Sequence, residues 1–382
     1  MIQDTQFEDI RPFRDFEFRS VMDSLLNSEL SDLLIKSVFP DLPMDIVKAQ
    51  LRSINTINEF QEKVIYQAIQ SILSKTSRGF SKSGTENLVK GERYLFISNH
   101  RDIILDPSLL NMAIVEQGFE TAEIAIGDNL LQVPWVKDLA RLNKSFIVKR
   151  NLPVRELVTA SKLLSYYISD TLINRRKSVW IAQREGRAKD GNDRTQPGVL
   201  NMLGLASTGS LKEHFMNLNI MPVSLSYQLD PCDTDKVRSL YSIKFFGGYT
   251  KEQNEDNLAM RKGIMGQKGK IHMHFGKPIT TEIAGLDEKL HKNELIQQIG
   301  QMIDRQIISN YKVQTSNLIA FDILHNNQIQ NSIGYAVDER DAFLMDIDQK
   351  IEGMAGDAVE LKSIFLEMYA RPYQNKMEMN NS

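Results

Sequence analysis

The order of apolar and polar positions changes character along the chain. Through residues 1–79 apolar side chains recur at three- and four-residue spacings, without a run of β-branched alternation, which is the pattern of packed helices. Asp41 to Pro43 interrupts it and predicts a fresh helix from about Met44. From Val47 the set Leu51, Ile54, Ile57, Phe60, Val64, Ile65, Ala68 and Ile69 draws a stripe along what reads as one long helix. The polar, glycine-containing stretch 77–88 reads as a connector.

Beyond it the period shortens. RYLFISNH (93–100), ETAEIAIG (120–127), KSFIVKR (144–150), KSVWIAQ (177–183) and NIMPVSLSY (219–227) read as buried strands. Helical stretches lie between them at Pro107–Gln117, Pro134–Leu142, Val154–Asp170 and Gly198–Ser207. That alternation specifies an α/β fold with a mostly parallel central sheet flanked by helices. SIKFFGGY (242–249) and GKIHMHFGKPI (269–279) add late strands, expected at an antiparallel edge. Helical spacing returns through Leu295, Ile299, Met302, Ile303 and Ile307, and a final helix from Asp357 is expected to end at Pro372. The chain thus divides into a helical N-terminal region (1–79), an α/β domain (80–285) and a helical C-terminal region (286–382).

Composition narrows the function classes. With 382 residues, 42% hydrophobic and 25% charged, the chain is neither low-complexity nor collagenous. A single cysteine, Cys232, excludes an intrachain disulfide framework and a thiolate metal cluster. Acidic residues near the N-terminus and the absence of an apolar run of spanning length predict a cytoplasmic protein, not secreted and without a transmembrane segment. The net charge of −3 argues against a dedicated nucleic-acid binder. Against that balance, residues 141–189 hold twelve Lys and Arg but three Asp and Glu, which points to a phosphate or another anionic ligand.

The chemistry concentrates at strand ends. His100 closes the first strand, with Asp102 and Asp106 just beyond; ligands of open α/β sheets bind at such carboxyl ends. A histidine there accepts a proton from an alcohol when a carboxylate fixes its other ring nitrogen, and either aspartate is a candidate. Asp106 before Pro107 also suits a helix cap. Lys149, Arg150 and Arg155 follow another strand, and Arg184, Glu185, Gly186, Arg187 and Lys189 a third. His272 and His274 share a strand face without an evident third metal ligand. Trp135 and Trp180 fit core packing, with Trp135 alternatively bordering an acyl channel, and 262–270 reads as a mobile surface loop.

Together these blocks resemble the glycerolipid acyltransferase superfamily, which includes acyltransferases for glycerol-3-phosphate and 1-acyl-glycerol-3-phosphate. Its first block is similar to Asn99-His100 followed by Asp106, here with five intervening residues, one more than usual, and with Asp102 as an alternative. The second resembles Asn143 to Arg150, containing Phe146, Ile147 and Lys149. The third resembles Arg184-Glu185-Gly186-Arg187, with Ala188 where an arginine is usual, so that the cation must come from Arg187 or Lys189. The fourth resembles Met221-Pro222-Val223.

The resemblance implies His100 as general base, paired with Asp106 or alternatively Asp102. It implies acceptor binding by Lys149, Arg150, Glu185, Gly186, Arg187 and Lys189, with Phe146 and Pro222 shaping the pocket and Pro222 fixing a loop. It implies no metal and no organic cofactor: acyl-CoA or acyl carrier protein is a cosubstrate, and the acceptor is a phosphorylated glycerol or a lysophospholipid. The implied setting is the peripheral inner face of a membrane, in phospholipid synthesis. An O-acyltransferase for another lipid head group, and a non-catalytic lipid or carrier-binding module on a degenerate fold, are the alternatives.

Overall fold

The computed structural model describes residues 4–38, 42–150, 152–325 and 335–381. Among them, seven strands make one sheet: β1 (Ser77–Ser83), β2 (Leu95–Ser98), β3 (Glu123–Gly127), β4 (Ser145–Val148), β5 (Val179–Ala182), β6 (Ile220–Tyr227) and β7 (Gly269–Phe275). Their order is β1-β7-β6-β2-β5-β3-β4. Pairing is parallel from β6 through β4, while β7 runs antiparallel to β6 and β1 lies parallel to β7. The fold is therefore mixed α/β, with a largely parallel sheet between helices. After β2 the chain leaves for β3 and β4 on one side, returns through β5, and places β6 on the other. That reversal opens a crevice beyond the carboxyl end of β2.

Side-chain alternation separates two cores. Leu95, Ile97, Val179, Ile181 and Ile220 face one layer, where Leu164 and Ile168 from the helix Val154–Ile173 meet Ile299 and Ile303 from Lys292–Ser309. Phe96, Trp180, Met221 and Val223 face the other, against Ile69 and Leu73 of Tyr66–Thr76 and Leu105, Leu109 and Leu110 of Leu105–Val115. The helix Leu105–Val115 is buried from Leu105 through Ile114, which fixes the segment carrying Asp106. A third core joins the C-terminal helices to Val237 of the helix Asp233–Phe246. A fourth packs Phe18, Val47 and Phe60 of the N-terminal helices on Leu142.

Several expectations from the sequence are corrected. The long N-terminal helix is divided into Met44–Ser53, Ile57–Phe60 and Tyr66–Thr76, the last entered through a π-turn at Gln61–Ile65. The cause is a new cap: Thr56 Oγ1 accepts the Glu59 N–H at 3.2 Å, and Glu59 accepts the Asn55 N–H at 2.9 Å. The supposed connector begins with β1, and β1 rather than β7 is the outer strand. SIKFFGGY is no strand. It closes the helix Asp233–Phe246, whose end is set by Gly247 at φ +74. Residues 262–265 of the supposed mobile loop belong to the helix Glu255–Met265, and the Lys268 ammonium is buried, bonding Thr76 Oγ1 and the carbonyls of Ile264 and Gly266. The last helix, Ala358–Asn380, runs through Pro372 instead of ending there. Among the described residues, no helix is long and apolar enough to cross a membrane.

Candidate active site

β2 delivers Asn99, His100 and Arg101 to the crevice. His100 Nδ1 lies 2.8 Å from Asp106 Oδ2. The same oxygen accepts the backbone N–H groups of Arg101 at 2.6 Å and Asp102 at 3.0 Å, while Asp106 Oδ1 accepts the Tyr227 hydroxyl at 2.9 Å. Asp106 is fully buried, so four donors replace its water. Burial and the neighbouring Asp106 hold the Tyr227 phenol well above its ordinary pKa, which keeps it a donor. Trp180 stands edge-on to the His100 ring, 5.6 Å between centroids, and donates its indole N–H to Ser98 Oγ at 3.0 Å.

The other aspartate of the motif has a different task. Asp102 Oδ1 accepts the N–H groups of Ile104 at 2.9 Å and Leu105 at 2.7 Å, capping the helix that follows. Burial, reinforced by Asp106, raises its pKa. The structure therefore brings Asp106, and not Asp102, to the His100 ring.

His100 opens onto a cavity of about 1010 Å³. Its apolar lining includes Ile65, Ile69, Ile104, Ile124, Ile126 and Leu139, and its cations are Lys149, Arg150, Arg155 and Arg184. Arg150 lies 3.7 Å from Glu185 Oε1 and folds across Gly127, where an added Cβ would come 2.9 Å from Arg150 Nε. Lys149 is 3.7 Å from Asp9. Glu185 and Gly186 also line the cavity, with Gly186 at φ +68.

Four other expected site residues do not reach it. Past the Gly186 turn, Arg187 points to Cys232, Asp230 and Asp102. Burial opposes its charge, but those partners more than offset it and leave its pKa raised. Lys189 bonds Ser239 and sits 4.8 Å above the Tyr249 ring. Phe146 is fully buried with its ring 5.1 Å from Tyr167, on the core side of β4. Pro222 fixes no loop: it lies within β6 opposite Ile97, and its carbonyl accepts the Gly276 N–H at 2.9 Å. As expected, Trp135 packs in the N-terminal core, its indole 3.3 Å from the Leu25 carbonyl, and Trp180 is buried in the sheet core while also bordering the cavity.

The sequence reading missed a buried ion pair behind His100. Arg101 Nη2 bonds Asp193 Oδ2, and Asn99 Nδ2 reaches the same oxygen at 3.3 Å. Burial works against the Arg101 cation, yet Asp193 holds it protonated, with its pKa above the ordinary value. An acid inside the turn-rich stretch 187–197 was the available signal, although nothing local pairs it with residue 101. The strand histidines are satisfied by hydroxyls: His272 is 2.8 Å from Ser81 Oγ and 2.9 Å from Ser83 Oγ, and His274 is 2.8 Å from Ser83 Oγ.

Comparison with known proteins matches residues 79–226 to a family model described as Acyltransferase. A dihydroxyacetone phosphate acyltransferase from Homo sapiens is 23% identical, over 67% of this chain and 38% of the relative's own length. The chain thus spans well under half of that curated relative. A crystal structure of the 1-acyl-sn-glycerophosphate (LPA) acyltransferase from Thermotoga maritima matches with a TM-score of 0.38 and 13% identity, over 77% of this chain and 96% of that one.

Proposed function

We propose that the chain is a member of the glycerolipid acyltransferase superfamily, a reading supported by the family match and the human relative, and that it transfers a fatty acyl group from acyl-CoA or acyl carrier protein to a hydroxyl of glycerol-3-phosphate or 1-acyl-glycerol-3-phosphate. The observation that carries this reading is the His100–Asp106 pair, 2.8 Å apart, opening onto a largely apolar cavity that also holds Lys149, Arg150, Arg155 and Arg184. One space thereby offers a base for a hydroxyl, cations for a phosphate and an apolar bed for an acyl chain. The human relative's printed name includes a phosphorylated three-carbon acceptor, which favours the same acceptor class.

In this mechanism Asp106 accepts Nδ1–H and fixes the tautomer with Nε2 bare. Nε2 takes the proton of the acceptor hydroxyl as its oxygen bonds the thioester carbonyl carbon. The tetrahedral intermediate then breaks its C–S bond, and the imidazolium returns the proton to the leaving thiolate. The products are an ester and a free thiol, with His100 neutral again. The charge that develops on the ring lies beside the fully buried Asp106 carboxylate, whose low-dielectric surroundings strengthen the attraction. Arg150 and Lys149 receive the acceptor phosphate, joined by Arg184 and Arg155 rather than Arg187 and Lys189. Glu185, held 3.7 Å from Arg150, keeps that guanidinium in place until phosphate replaces it. Lipid substrates imply peripheral contact with a membrane surface. Val154 and Val158, exposed at 79% and 60% beside cavity-lining Leu157, suit that contact.

The test is acyl transfer from labelled acyl-CoA, and separately from acyl carrier protein, to glycerol-3-phosphate, 1-acyl-glycerol-3-phosphate and a phosphate-free alcohol. Turnover with a phosphorylated acceptor that disappears in His100→Ala is the expected result. Preference for the phosphate-free alcohol would overturn the phosphate assignment, and binding of acyl thioester without turnover would favour a non-catalytic module.

A further inference from the structure

Asp106 restrains the ring of His100 and the backbone N–H groups of Arg101 and Asp102 just after it, but a base must also be fixed in place relative to its substrate. The residues on either side of it share another carboxylate. Asp193 Oδ2 accepts from Asn99 Nδ2 at 3.3 Å and from Arg101 Nη2, so one side chain grips both neighbours of His100. Asn99 is further tied to the sheet, donating to the Leu225 carbonyl at 2.8 Å and accepting the Leu225 N–H at 2.7 Å. Arg101 lies 5.9 Å from the Tyr311 ring centroid. Asp193 and Arg101 are only 4% and 9% exposed.

Asp193 belongs to the stretch after β5 that begins with the cavity residues Arg184, Glu185 and Gly186. That stretch is braced from behind by the helix Ala358–Asn380. Asn375 Nδ2 donates to Asn192 Oδ1 at 3.1 Å. Gly191, at φ +75, comes so near the Met368 carbonyl that an added Cβ would lie 2.3 Å from it. Pro372, four residues beyond Met368, has no N–H to occupy that carbonyl, so the proline inside the helix leaves a seat that only a glycine can enter.

We infer that Asp193 is a positioning residue, locking Asn99-His100-Arg101 to the 184–193 stretch and thereby setting the base at its working distance from the cations of the cavity. Its consequence for rate rests on the acyl-transfer reading; its effect on His100 does not. Neutralising Asp193 leaves the Arg101 cation buried without its counter-ion. The tripeptide then moves, and the ring of His100 moves with it.

The experiment reads His100 directly, by nitrogen NMR of the imidazole in the full-length protein, with His100→Ala to assign it. In the wild type, protonated Nδ1 and bare Nε2 are expected. Asp193→Asn is expected to give a second tautomer or a shifted His100 titration, and to lower kcat about 10–100-fold while the donor KM changes less than about twofold. The double variant Arg101→Gln/Asp193→Asn removes the buried charge. It should recover thermal stability without recovering the His100 signature or kcat. A wild-type His100 spectrum in folded Asp193→Asn, or a double variant whose rate returns together with its stability, would reduce Asp193 to a purely structural role. Absence of acyl transfer in the wild type would overturn the proposed function, and the His100 spectrum would still decide the role of Asp193.

Discussion

The two chemical walls of the cavity are built in opposite ways. Around His100 the partners are fixed: Asp106 is fully buried and holds the ring, two backbone N–H groups and the Tyr227 hydroxyl. Along the cation wall they are loose: Arg150 and Lys149 stand 3.7 Å from their carboxylates, with side chains 29% and 36% exposed. Proton transfer demands hydrogen-bond reach and a set tautomer, which favours a preformed site. Anion binding tolerates adjustment, because charge acts over longer distances and the ligand completes the geometry. On the proposed acyl-transfer reading, a rigid base and adjustable cations let acceptors enter, react and leave.

Variants should separate these walls. On the base wall, His100→Ala or Asp106→Asn is expected to lower kcat by about 10²–10⁴-fold, with acceptor KM little changed. On the cation wall, Arg150→Ala is expected to raise acceptor KM about 10–100-fold, since a charge-assisted hydrogen bond contributes about 1.5–3 kcal/mol. Steady-state kinetics with each substrate varied in turn distinguishes the two; a kcat-only defect in Arg150→Ala would dissolve the distinction. Arg187→Ala sharpens it further. Because Arg187 serves Cys232, Asp230 and Asp102 outside the cavity, thermal unfolding should show a loss of about 1–3 kcal/mol, with acceptor KM unchanged.

The smallest effect concerns a second kind of histidine. His272 meets hydroxyls where His100 meets a carboxylate, and burial, with Lys312 and His274, pushes its pKa from 6.5 down to about 4. Between those values the unfolded chain binds more protons than the folded one, so this contribution is complete above pH 6.5 and is lost as pH falls toward 4. His272→Gln should flatten the fall in melting temperature across that window and leave neutral-pH activity unchanged. An unaltered acid profile would remove His272 from the account.

Legibility in the sequence followed the same division. The strands β2 to β6 were readable because each is a short apolar run bounded by helical periodicity, and His100 and Asp106 were readable because they follow such a run. The cations were readable as a concentration of charge, not as directions: one turn at Gly186 decides that Arg184 enters the cavity and Arg187 turns away. Pro222 misled for a related reason. Proline usually marks a loop, and only the sheet order shows it lying between β2 and β7. Pro372 and Asp193 were opaque because their meaning lies in partners 181 and 92 residues away, Gly191 and Arg101.

The most direct measurement is one kinetic comparison on the intact chain: kcat and acceptor KM for glycerol-3-phosphate and 1-acyl-glycerol-3-phosphate in the wild type, Asp106→Asn and Arg150→Ala. A loss of kcat in the first variant and a rise in acceptor KM in the second, with one phosphorylated acceptor turned over by the wild type, is the predicted result. Equal defects in both parameters for both variants, or turnover indifferent to the acceptor phosphate, would contradict the division of the site into a fixed base and a yielding anion wall.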